Sequence, residues 1–91
     1  MWQWILGGLA VLIGAFLYLT ISDILNSARN KAKEKNLKGS IQVAIDKVKP
    51  ETVTVDVLDN WGLYEFSLEF NYTNLDSDKI REGARYKVNL D

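Results

Sequence analysis

The chain has 91 residues, 47% of them hydrophobic and 25% charged, with a formal net charge of −1 and neither Cys nor His. Missing thiols exclude disulfides, thiolate metal sites, thiol nucleophiles and cysteine-borne lipid anchors, and missing imidazoles remove the commonest general base and metal ligand. The charge is uneven: residues 23–38 hold five basic groups against two acidic, a net +3, whereas residues 39–91 hold six against ten, a net −4.

From Trp2 to Ile21 only Gln3 and Thr20 are plainly polar, and no charge occurs before Asp23. Twenty residues at a helical rise of ~1.5 Å span ~30 Å, the thickness of bilayer hydrocarbon. The run therefore reads as one membrane-spanning helix over residues 1–22. A cleaved signal peptide fits less well, because the start lacks basic residues and no small-x-small site follows Tyr18. Trp2 and Trp4 would lie at one interface. Arg29, Lys31, Lys33 and Lys35 follow the span and would lie against headgroups at the other, so the positive-inside rule puts the C-terminal domain in the cytoplasm and the N-terminus outside. On a helix, Gln3, Gly7, Ala10, Gly14 and Tyr18 share one face, and Ala10-x-x-x-Gly14 is a small-xxx-small pair. That face is expected to pack on partner helices or on itself.

Residues 23–39 are expected to continue as a basic helical stalk, with Ile21, Ile24, Leu25, Ala28 and Ala32 at helical spacing and Gly39 as the left-handed cap. From Ser40 the period changes to two. Ile41, Val43 and Ile45, then Val53, Val55 and Val57, alternate with more polar neighbours on either side of Lys49-Pro50-Glu51. Asp59-Asn60-Trp61-Gly62 reads as a turn. Tyr64, Phe66, Leu68, Phe70 and Tyr72 then share one face of the core strand, and Tyr86, Val88 and Leu90 mark the last strand. Four antiparallel strands over residues 40–91 follow, as a small sheet or an OB- or SH3-like barrel. The Glu65 and Glu69 face of the third strand is expected opposite Arg85 and Lys87 of the fourth. The overall class is an α+β membrane protein with one N-terminal transmembrane helix.

Chemistry finds little support in the sequence. Ser/His and Cys/His nucleophiles are impossible, and no phosphate-cradling glycine loop is present. Asn74-x-Asp76-x-Asp78 begins like a calcium loop but lacks the required Gly and has Arg85 where a bidentate Glu belongs. Glu65 and Glu69 read as solubilising, and the head's net −4 opposes nucleic-acid binding. No catalytic residue, cofactor, metal or small-molecule substrate is expected. Trp61 reads as covering the end of the sheet, with a partner contact as its other role. The function expected is a single-pass, non-catalytic accessory or assembly subunit of a larger membrane complex, in contact with lipid and other subunits. The alternative is a tethered recognition module whose β domain binds a soluble protein or peptide.

Overall fold

The computed structural model describes residues 10–91. Five strands and one helix follow in the order β1 (Val11–Leu19), α1 (Ile21–Glu34), β2 (Ser40–Lys49), β3 (Thr52–Leu58), β4 (Tyr64–Leu75) and β5 (Arg85–Asn89). They form a single sheet in the order β1-β4-β3-β2-β5. The β2–β3, β3–β4 and β2–β5 pairs are antiparallel, whereas β1 runs parallel to β4.

The membrane-spanning helix is the main correction. Val11–Leu19, expected within the span, is a β-strand, and no described helix is long and apolar enough to cross a membrane. The expected membrane location and topology lose their basis with it. The physical reason is an ambiguity of period: a uniformly apolar run carries no alternation that would separate a strand from a helix. What ends the run is local. Thr20 takes an extended conformation and caps α1, its hydroxyl accepting from the Asp23 amide at 3.2 Å while the Asp23 carboxylate accepts from the Thr20 amide at 3.0 Å. This reciprocal box starts a helix at Ile21 and stops anything continuous from passing through.

The stalk is corrected as well. Ile24, Ala28 and Ala32 of α1 are fully buried, so the helix packs in the same core as the sheet. It ends at Glu34, before the expected Gly39. Asn36 takes the left-handed conformation at φ 63°, the Asn36 amide donates to Lys33 O, and the Leu37 amide donates to Ala32 O, both at 3.0 Å. That is a Schellman stop. Gly39, at φ +81°, turns the chain into β2.

The expected central meander is present as β2–β3–β4. Cross-strand partners Val43–Val57, Ile45–Val55, Val55–Leu68 and Val53–Phe70 put the alternating apolar residues on the face that α1 covers. Of the alternating apolar residues, Ile41, Val43, Ile45, Val53, Val55, Val57, Phe66, Leu68, Phe70 and Val88 are buried, Tyr64 is exposed, and Tyr72 and Tyr86 are half-buried, the Tyr86 hydroxyl donating to Lys79 O. Leu19, Ile80 and Leu90 join the core, as do the three buried helix residues.

Of the two forms expected, sheet or barrel, the described strands make an open sheet with two edges, and it is mixed, not purely antiparallel, because β1 runs parallel to β4. The last strand pairs with β2, not with β4: Ile41 lies opposite Val88, and Arg85 donates to Gln42 Oε1 at 3.0 Å, away from Glu65 and Glu69. β1 takes the place beside β4 that β5 was expected to hold.

Candidate functional site

Each edge of the sheet offers a row of backbone groups with no strand neighbour on one side among the described residues, and the two edges differ in chemistry. The β5 edge is five residues long and carries exposed Arg85 and Lys87. Short length and basic side chains are the usual guards against further strand pairing. The β1 edge has nine residues, Val-Leu-Ile-Gly-Ala-Phe-Leu-Tyr-Leu, and no charge. One side of β1 pairs with β4 from Val11–Leu68 to Leu19–Leu75; the other side meets no described strand.

Its side chains follow the same contrast. Leu17 is 83% exposed, and Leu12 and Tyr18 are each 56% exposed. Phe16 leans inward, its ring 6.0 Å from that of Phe70, while Leu19 is fully buried. The strand is thus anchored through Phe16 and Leu19 and leaves Leu12, Leu17 and Tyr18 exposed, the last two on opposite faces of the pleat. A register shift between Leu12 and Gly14 bends its first third, leaving Gly14–Leu19 in unbroken register with β4. Beside it lies an open cleft of about 420 Å³ whose lining joins Ala15 and Phe16 to Glu51, Thr52, Asn71 and Tyr72.

The β3–β4 turn forms a second exposed feature. Asp59 Oδ1 accepts from the Trp61 amide at 2.8 Å and the Leu63 amide at 2.9 Å, and Gly62 adopts φ +85°. Ser40 Oγ donates to Asn60 Oδ1 at 2.9 Å, fastening the turn to the start of β2. This bracing holds Trp61 82% exposed and Leu63 64% exposed. Trp61 therefore does not cover the end of the sheet.

Over β3 and β4 the sheet face opposite α1 carries a polar group. Ser67 donates to Asp56 Oδ1 at 2.8 Å and lies 2.7 Å from the Tyr64 hydroxyl, linking β3 to β4. The chain has no imidazole to serve this serine as general base. Among the described residues no three acidic side chains are grouped to hold a metal ion.

The residues singled out from the sequence are scattered. Gln3, Gly7, Trp2 and Trp4 lie outside the described residues. Ala10 directly precedes β1, and Gly14 and Tyr18 lie within it opposite Phe70 and Asn74, so they share no helix face. The basic group belongs to α1 and the turn after it. Arg29 donates to Asn89 O, Lys31 pairs with Glu34 at 3.4 Å, and Lys35 stands 5.5 Å from the Phe66 ring centre, while Lys33 is exposed. With no described helix long and apolar enough to cross a membrane, the reason for assigning these basic residues to headgroups is gone. The strand edge was missed because the run was assigned to lipid. The Thr20-Ile21-Ser22-Asp23 capping signature was the clue that would have cut it.

No protein-family model matches the chain, and no curated protein or solved structure matches it either.

Proposed function

We propose that this chain is a small, non-catalytic interaction module that binds an extended protein segment by adding it as a strand beside β1. The observation that carries this reading is the neutral, nine-residue outer strand with Leu12, Leu17 and Tyr18 exposed along it. In strand addition, main-chain hydrogen bonds supply affinity and alternating side chains supply selectivity. β1 offers both: a row of amides and carbonyls unmatched by any described strand, and exposed apolar side chains with no charge in the strand. The braced Trp61 turn suits a supporting contact, since a rigid exposed Trp loses little entropy on docking and hot spots are rich in this residue.

Placing a photo-activatable phenylalanine derivative at Leu17, and separately at Asn30 on α1, tests the reading. Strand addition predicts cross-links from position 17 that fall on one extended segment, at alternate residues, and few from position 30. Equal yields from the two positions would refute it.

A further inference from the structure

We infer that the strand received beside β1 is β1 of a second copy, the two lying antiparallel across a two-fold axis to make one continuous sheet. This inference rests on the strand-addition reading and names its partner.

Charge is the first ground. β1 is the only described strand without a carboxylate, Lys or Arg: β2 carries Asp46, Lys47 and Lys49, β3 Asp56, β4 Glu65 and Glu69, and β5 Arg85 and Lys87. A charged segment laid on β1 would have to desolvate its ions against Leu12 and Leu17 with no counter-charge in the strand. A second β1 brings none, and like charges never meet across the junction.

Closure is the second. Pairing β1 with itself uses the same surface on both copies and stops at two. Pairing β1 with β5 would be head-to-tail and would continue into a filament, but β5 is five residues long and carries Arg85 and Lys87 against such growth. One edge is guarded and the other is not, as a sheet with a single mate requires. The regular stretch from Gly14 to Leu19, beyond the register shift, provides the length for pairing.

The test is sedimentation equilibrium of the full chain over micromolar concentrations, together with amide hydrogen exchange. The wild type, Leu17→Lys, Tyr18→Lys and Leu63→Lys are compared, Tyr18→Lys standing in should Leu17→Lys fail to fold. We expect a dimer whose dissociation constant rises at least about tenfold with Leu17→Lys or Tyr18→Lys and is unmoved by Leu63→Lys. The outward amides of β1 should exchange faster in the weakened variants. A monomer whose outward β1 amides exchange fast would overturn the self-pairing and leave strand addition with another protein intact. A monomer with protected amides would mean the edge is covered within one chain, and both readings fall. A dimer weakened by Leu63→Lys and not by Leu17→Lys would place the contact at the Trp61 turn and overturn the self-pairing.

Discussion

Asp23 and Thr20 satisfy each other at the start of α1, with the Thr20 hydroxyl donating to Asp23 Oδ2 at 2.9 Å as well as accepting from the Asp23 amide. Thr20→Ala removes the cap and should destabilise the fold by ~1 kcal/mol, read as a lower urea midpoint with unchanged slope. The opposite end of α1 depends on Asn36, one of two non-glycine residues at positive φ among those described. Asn tolerates this region because its short polar side chain bonds locally, and Val does not. Asn36→Val should cost about 1–2 kcal/mol, whereas Asn36→Gly should be close to neutral in the same titration. Glu82 shows how one side chain absorbs a backbone irregularity. The register shift between Ile45 and Lys47 interrupts the ladder, and Glu82 Oε2 accepts the Val48 amide at 2.9 Å.

At the scale of elements, α1 lies on the sheet through small residues. Ala28 and Ala32 are fully buried beside Ile24, so the helix backbone approaches the strands closely. Ala28→Leu should push the helix away and destabilise by about 1–3 kcal/mol, with thermal unfolding as the measurement. Such a cost would be absent on a free, solvated stalk, so the substitution separates the two pictures of this segment. The strands differ in exposure of their backbones. β3 has a neighbour on each side, and β2 and β4 flank it, whereas β5 is short and pairs on one side only. Amides of β3 should therefore exchange slowest and those of β5 among the fastest.

For the whole molecule, a helix covers one face of the sheet and the other face carries hydrogen-bonded polar side chains. A single core thus serves all six elements, and Leu68 stands at its middle, opposite Val55 on β3 and Val11 on β1. Leu68→Ala should cost about 2–5 kcal/mol and loosen β1 along with the centre, because one side chain packs both contacts. A circular-dichroism melt combined with exchange at β1 would register the two effects together.

Residues 40–75 were legible from the chain alone: alternation at Ile41, Val43 and Ile45, at Val53, Val55 and Val57, and from Phe66 to Phe70 sets which side faces inward, and turns at Pro50 and Gly62 separate the strands. Those signals are local, since pleat and turn conformation depend on a few successive side chains. Tertiary structure alone decided what a uniformly apolar segment would become and which edge the last strand would join. Val11–Leu19 has no period to read, and its pairing with Leu68–Leu75 is settled by contacts far away in the chain. The choice of β2 over β4 for Arg85–Asn89 follows from the same cause: once β1 occupies the side of β4, only the β2 side is left to pair.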